Sequence, residues 1–434
     1  MPDNPTTTTP ASPTEAPPSA TTHYRIGARL NTYLVSLLVT GTVLMMAPSG
    51  FAGVLLPGKI YGFFPEDAVA RDAALAQVLA VAAIFTLVAQ PLVGMISDNT
   101  RSRFGKRTPY ILVGAIGGLA FTYGLQVANS VVTVTVFWVL VQICLNVIQA
   151  PLQTTVADRV PNERRGIASS LIGVTAIVGG TLGAIIAGRL SNAVGDASFT
   201  ILGLIVLVVM LAFVLVSPDR SSKGEPRERV TVKDFLSTFW VNPRTAPDFA
   251  WAFAARFLMM LGYWAVQVFQ FNLLLAYVQP SLEFTQVNIE MGTLGLITMA
   301  GALVASVLFG RLSDRIGRRK PFVIGASIVM AIALAIPMLS PTLEAFYVWA
   351  AINGFAFGAY MAIDMALIID VLPNPARFGK DLGVMNIATV LPQAIGPVLA
   401  AGISATWGYP ALFAWAIFWV LLAIVFVLPI KKAR

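Results

Sequence analysis

Two charged side chains stand in surroundings that are otherwise apolar. Asp364 lies within GAYMAIDMALIID (358–370), and Arg256 lies within WAFAARFLMMLGY (251–263). An ionised carboxylate in hydrocarbon costs about 2.5–3.5 kcal/mol on insertion scales, so Asp364 has to be protonated, paired or wetted. At 1.5 Å per helical residue, Asp364 sits roughly 9 Å in from Asp370, and Arg256 is about as deep from the same side. Opposite sign and matched depth predict that the two meet. Such a pair has two possible roles. It exchanges its proton or its contact with a bound substrate, or it is a static bridge that only fixes helix packing.

Uncharged polar residues recur at helical spacing. Gln142, Asn146, Gln149 and Gln153 are 4, 3 and 4 apart, which places them within an arc of about 60° on one helix. Amides donate and accept hydrogen bonds together, which suits the vicinal hydroxyls of a sugar. Their other use in a membrane is to bond helix to helix. A second stripe holds Arg256, Tyr263, Gln267 and Gln270, flanked by Trp264 and Phe271, whose ring faces suit the C–H faces of sugars. A third holds Asn353, Tyr360 and Asp364. The substrate-binding candidates are therefore Gln142, Asn146, Gln149, Gln153, Tyr263, Trp264, Gln267, Gln270, Asn353 and Tyr360. Asp364 and Arg256 are the proton-coupling candidates.

The elements that must position these residues follow from composition. The chain has 434 residues, 57% hydrophobic and 12% charged, against about 25% charged in soluble domains. Mean hydropathy is +0.77. Twelve apolar runs are long enough to cross a bilayer, at 27–52, 73–97, 108–128, 131–155, 165–190, 198–217, 249–278, 290–312, 321–339, 344–369, 382–404 and 409–430. They are too long for barrel strands and lack strand alternation. This predicts an all-α membrane protein with twelve transmembrane helices in two six-helix bundles. The expected divisions are a Pro/Thr/Ser-rich cytoplasmic tail (1–23), a first bundle (24–217), a cytoplasmic linker (218–248) and a second bundle with a short basic tail (249–434). VTVKDFLSTFW in the linker reads as a surface amphipathic helix.

Several functions are excluded. Cys144 is the only cysteine and His23, in the tail, the only histidine, so an intrachain disulfide and a Cys/His metal cluster are ruled out, and zinc chemistry and a Ser-His-Asp triad are excluded from the membrane core. No phosphate-binding G-x-x-x-x-G-K-[ST] occurs. Neither a cofactor nor an enzymatic activity is expected. The net charge of +8 does not point to nucleic acid, because the basic residues lie in short loops. With both termini in the cytoplasm, 25 of the 29 Lys and Arg residues fall on that side, and only Lys59, Arg71 and Arg189 on the other. The expected place is the cell (inner) membrane, crossed many times.

The halves repeat each other. GMISDNTRSRFGKRTPY after the second run matches GRLSDRIGRRKPF after the eighth. ADRVPNERRG after the fourth matches IDVLPNPARFG after the tenth. Asp98 to Asp314 is 216 residues and Asp158 to Asp370 is 212. Two motifs at nearly one offset indicate a duplicated six-helix unit, hence two pseudo-symmetric bundles.

GRLSDRIGRR at 310–319 resembles the loop motif of the major facilitator superfamily, G-x-x-x-D-R-x-G-R-R. The longer first copy, QPLVGMISDNTRSRFGKRTPYI, resembles the sucrose/proton symporters and the glycoside–pentoside–hexuronide/cation symporters within it. The resemblance implies that helices 1, 4, 7 and 10 line a central cavity. It also implies that Asp98 and Asp314 lock the halves on the cytoplasmic side, the first near Lys380 and the second near Arg164 and Arg165. The gating candidates are Asp98, Arg101, Arg103, Arg107, Asp158, Asp314, Arg318, Arg319 and Asp370.

This chain departs from both branches. Thr86 and Gln90 stand where the cation symporters carry acids, and Gln142 and Gln153 where the sucrose branch carries an acid and an arginine. Either coupling has moved to Asp364 or the protein is not proton-coupled. Gly179, Gly180 and Gly183 are expected to allow close helix approach, and Pro151, Pro392 and Pro397 to permit bending. The expected function is secondary transport of a neutral hydroxyl-rich solute, a sugar, glycoside or disaccharide, with a proton. The alternatives are an exporter of amphipathic compounds and a transporter-like sensor that does not transport.

Overall fold

The computed structural model describes residues 27–161, 164–219, 221–222, 246–316, 319–371 and 378–430. The proposed tail and surface helix, Arg318, and the side chains of Gln90, Asp98, Arg165, Asp314, Asp370 and Lys380 lie outside the described residues.

The first half comprises α1 (Ala28–Phe63), α2 (Ala68–Asp98), α3 (Thr108–Val127), α4 (Val131–Arg159), α5 (Arg165–Val194) and α6 (Ala197–Val216). The second begins with α7 (Pro247–Val268), which turns at Phe269 and resumes over Gln270–Ala276. Then come α8 (Phe284–Ile316), α9 (Lys320–Leu339) and α10 (Leu343–Val371). The final rod, Phe378–Val427, is broken where Gly408 takes φ 79, a left-handed value open to glycine, so it comprises α11 (378–407) and α12 (409–427). Among the described residues twelve membrane-crossing helices result, as expected, in two six-helix bundles. An even number of crossings puts the start of α1 and the end of α12 on one side, the termini face.

Local chemistry sets several helix starts. Asp67 caps α2, its carboxylate accepting from Ala70 N at 2.9 Å. Ser130 and Thr133 form a reciprocal capping box at α4. A proline in the first turn opens α3, α7 and α9, where its missing N–H costs nothing. Within α1, Pro48 precedes a π-helical stretch, Phe51–Leu55. Proline cannot donate to the helical ladder, and a widened turn absorbs the mismatch.

Lipid gives helices no hydrophobic reason to associate, so close packing has to supply it. A Cβ on Gly179 or Gly183 of α5 would come within 2.4 Å of Thr42 O or 2.3 Å of Met46 O on α1. In the second half, Gly354 and Gly358 of α10 press equally hard on Thr298 O and Ala302 O of α8. Gly180 differs from the expectation: nothing lies within 4 Å of a Cβ there. Its carbonyl instead accepts from Ser49 Oγ at 2.6 Å.

Two helices begin earlier than hydropathy placed them. The second starts at Ala68 rather than 73, and the eighth at Phe284 rather than 290. Arg71, Asp72 and Asn288 are thereby helical, and Glu290 lies inside its helix rather than at its start. Each polar group is met by a tertiary partner: Arg71 donates to Pro65 O at 2.8 Å, and Glu290 accepts from Tyr347 at 2.6 Å.

The halves meet at the face opposite the termini. Thr181 donates to Gly295 O at 3.3 Å, Asn192 to Thr285 O at 3.0 Å, and Asn288 to Asn192 Oδ1 at 2.7 Å, joining α5 to α8. Tyr61 of α1 stacks on Phe284 of α8, and Phe271 closes on the same ring. On the termini face, the segment after α6 folds back onto the first half. Ser222 N donates to Ser102 O at 3.0 Å, and Asp219 accepts from Arg107 N at 3.0 Å. Gly105, at φ 87, leaves the room Asp219 needs, since a Cβ there would meet the carboxylate at 2.3 Å.

Candidate functional site

A cavity of about 570 Å³ opens between the halves. One wall is α4, which presents Gln142, Asn146, Gln149 and Gln153. The opposite wall is α11, which presents Asn386, Thr389 and Gln393. Thr86 of α2 and Arg256 of α7 complete the polar lining, and Leu44, Leu145, Ile368, Met385 and Val390 supply apolar surface. Gln153 and Asn386 are exposed, Gln149 and Gln393 half-buried, and Asn146 buried. The cavity therefore opens toward the termini face.

The four α4 amides share a stripe because their spacing tracks the helical turn. Asn146 Nδ2 is bonded at 2.8 Å to Gln142 O, which leaves its side-chain carbonyl to accept. Thr86 Oγ1 is buried at the wall with no protein partner. Such a wall can read both donors and acceptors on a bound solute.

Arg256 is the cationic member among the described lining residues. It donates from Nε to Thr389 Oγ1 at 2.8 Å and from a terminal nitrogen to Asp364 Oδ2. Both side chains of this ion pair are almost fully buried, at 7% and 5% exposure. Asp364 stands behind Arg256 and does not line the cavity. The pair lies inside the second half, bridging α7 and α10, and Thr389 connects it to α11.

The other candidates on α7 and α10 do not line this cavity. Tyr263 is stacked on Phe357, with ring centroids 4.1 Å apart, and meets Trp264 edge-on. Asn353 and Tyr360 are each 2% exposed. Gln270 is buried beyond the turn at Phe269, so the single stripe expected from Arg256 to Gln270 does not hold. A broken helix does not carry 100° per residue across the break. Gln267 is half-buried. Of the polar set expected on helices 4, 7 and 10, the α4 stripe and Arg256 gather at one cavity. The α11 residues complete it, and their 3 and 4 spacing (386, 389, 393) was a readable signal.

On the termini face, Arg101, Arg103, Arg107 and Asp158 make contacts in the first half. Arg107 donates to Asp158 Oδ2 at 3.1 Å and to Ser97 Oγ at 3.0 Å. Arg101 donates to Thr100 O, and Arg103 lies over the Phe104 ring at 5.0 Å. Arg319 forms the N-cap position of α9. The expected locks of Asp98 and Asp314 rest on side chains outside the described residues.

Comparison with known proteins agrees with this architecture. The family profile of the Major Facilitator Superfamily matches residues 38–301 and 268–434. The Fujikurins efflux protein of Gibberella fujikuroi is 26% identical over 320 residues, 70% of this chain and 61% of that protein. The chain thus spans under two thirds of that relative. The cis,cis-muconate transport protein of Acinetobacter baylyi is 23% identical over 333 residues, 73% of this chain and 78% of that protein. Among solved structures, an inward-facing, occupied bacterial homologue of the human lysosomal transporter Spinster superposes with TM-score 0.71 at 16% identity. That superposition covers 94% of this chain and 98% of the homologue.

Proposed function

The chain belongs to the Major Facilitator Superfamily, a family of membrane transporters rather than enzymes, and on that premise we propose that it moves a neutral, hydroxyl-rich solute by alternating access, coupled to a proton. A sugar, glycoside or disaccharide is the class meant. The observation that carries the reading is the facing of α4 and α11 across one cavity, with amides on both walls. Its volume of about 570 Å³ falls in the range of about 300–1,000 Å³ usual for small-molecule sites. Among the described residues no carboxylate belongs to its lining, which disfavours cationic solutes. The charge asymmetry of the loops supports a cytoplasmic termini face, so the cavity here faces the cytoplasm. The outer side is closed, as in the inward-facing homologue.

Asp364 is the proposed proton site. A proton on it removes the charge that holds Arg256, and the guanidinium is then free to contact the solute. Chemistry at the cavity is thereby linked to protonation behind it. The gating arginines and acids of the termini face are proposed to close that side in the opposite state.

A second reading rests on the placement of the pair. Arg256 reaches the lining and Asp364 does not, so the charge offered to a solute is cationic. Together with the apolar lining, this favours an amphipathic carboxylate, moved inward or exported. One experiment separates the readings: uptake and counterflow in proteoliposomes with labelled glycosides and carboxylates, with and without an imposed pH gradient. Glycoside accumulation driven by the gradient is the expected result. Accumulation of carboxylates alone selects the second reading, and absence of exchange for every solute points to a sensor.

A further inference from the structure

The face opposite the cavity mouth holds a carboxylate that the transport scheme above does not use. Asp72, in the second turn of α2, is 2% exposed. It takes its hydrogen bonds from the other half: Asn272 Nδ2 donates to Oδ1 at 2.6 Å, and Ser404 Oγ to Oδ2 at 3.0 Å. These donors come from the continuation of α7 and from α11, so one side chain ties α2 to two helices across the interface between the bundles. The Tyr409 hydroxyl of α12 stands beside the carboxylate without completing a bond of ordinary geometry. Arg71, the cation facing Asp72, is turned away to Pro65 O and lies over the Tyr61 ring of α1 at 5.4 Å.

The duplication supplies an internal control. Asp72 and Asn288 are 216 residues apart, and Asn192 and Ser404 are 212 apart, the offsets of the two repeated loop motifs. The pairs are therefore related by the pseudo-two-fold axis: Asp72 with Ser404 closes α2 on α11, and Asn288 with Asn192 closes α8 on α5. The second copy makes the same closure with two neutral amides. Closing the interface therefore does not require an acid. An acid at one copy adds a charge that a proton can cancel, and hydrogen bonds to an ionised acceptor are about twice as strong as neutral ones.

We propose that Asp72 is a proton-responsive latch of the outer gate, distinct from Asp364. Ionised, it holds α2 to α7 and α11 and keeps the outer side shut. Protonated from outside, it accepts more weakly and lets the halves part. The ligand of this site is the external proton. Alternation between the two faces then responds to external pH before any solute binds. The proposal uses the orientation given above, but its test needs no solute and stands apart from solute identity.

The test is labelling from outside with a membrane-impermeant maleimide. The reporter is Ala401→Cys, one turn inward of Ser404 on α11 and buried at 8% exposure, in a Cys144→Ser background. Between about pH 7.5 and pH 5.5, with rates corrected for thiolate fraction using a water-exposed cysteine control, labelling is expected to rise about fivefold or more. That ratio corresponds to about 1 kcal/mol, the difference between a charge-assisted and a neutral bond. Asp72→Asn is expected to label quickly at both pH values, with no corrected dependence. Ser404→Ala keeps the acid and loses one donor, so its labelling should start higher and retain the pH response. A flat corrected profile in the parent, or a retained pH response in Asp72→Asn, overturns the proposal. If Asp72→Asn does not reach the membrane, Ser404→Ala decides: a rate and response equal to the parent's would equally overturn it.

Discussion

Removing one member of the Arg256–Asp364 pair separates structure from transport. In Asp364→Asn, the guanidinium keeps Thr389 but loses the carboxylate opposite it, in a site where both side chains are less than a tenth exposed. An unpaired buried charge of this kind costs about 3–5 kcal/mol. For a cooperative unit the size of one bundle, about 2–4 °C accompanies each kcal/mol, so the melting midpoint should fall by about 6–20 °C. Cys144 provides the probe. It is the only cysteine and is buried on α4, so a thiol-reactive dye in detergent reports unfolding without an engineered label. The double variant Arg256→Met, Asp364→Leu removes both charges and should recover most of the loss, because apolar replacement of a buried pair is often close to neutral. Transport should divide the variants differently: Asp364→Asn keeps part of its solute exchange and loses proton-driven accumulation, whereas the double variant loses both. If Asp364→Asn melted within about 2 °C of the parent and still accumulated solute, both the buried pairing and the coupling role would be refuted. A double variant as unstable as the two single losses added together would show that the side chains do not act as a pair.

Three further outcomes follow from the geometry. Gln149→Ala and Asn386→Ala should each raise KM about tenfold, the value of one lost solute hydrogen bond. Gln270→Ala, away from the cavity, should leave KM within about twofold in the same uptake assay. Gly183→Val should destabilise the α1–α5 contact by about 1–3 kcal/mol or more in thermal unfolding, whereas Gly180→Ala, with open space around it, should be close to neutral. Gly105→Ala should loosen the docking of Asp219, because it forbids both the φ of 87 and the contact distance. Faster proteolysis after the α6 end is the measurement that checks this.

What the sequence made legible was whatever repeats locally. Twelve long apolar runs and the α4 amide stripe are each a pattern within one helix, and each corresponds to helices among the described residues. The depth and sign of Arg256 and Asp364 also sufficed to expect their contact. The missed features depend on tertiary partners. Arg71 and Asp72 look like the polar edge of an apolar run until Pro65, Asn272 and Ser404 are seen to satisfy them. Tyr263 and Gln270 share a projected face with Arg256, but Phe357 stacks on the first and the turn at Phe269 displaces the second. The α11 set has helical spacing, but Pro392 and Pro397 stand within the same stretch and obscure the stripe.

The docking of Asp219 and Ser222 has a consequence for how the polypeptide can be divided. These residues follow α6 in sequence but are bonded to the α2–α3 loop. A division of the polypeptide that keeps this docking intact therefore has to come after Ser222 rather than at the end of α6. Co-expressed as separate chains ending at 222 and starting at 223, the fragments should reassemble into a working whole. A seam placed at 216 would strand the docked residues on the wrong fragment and leave the α2–α3 loop without its clasp.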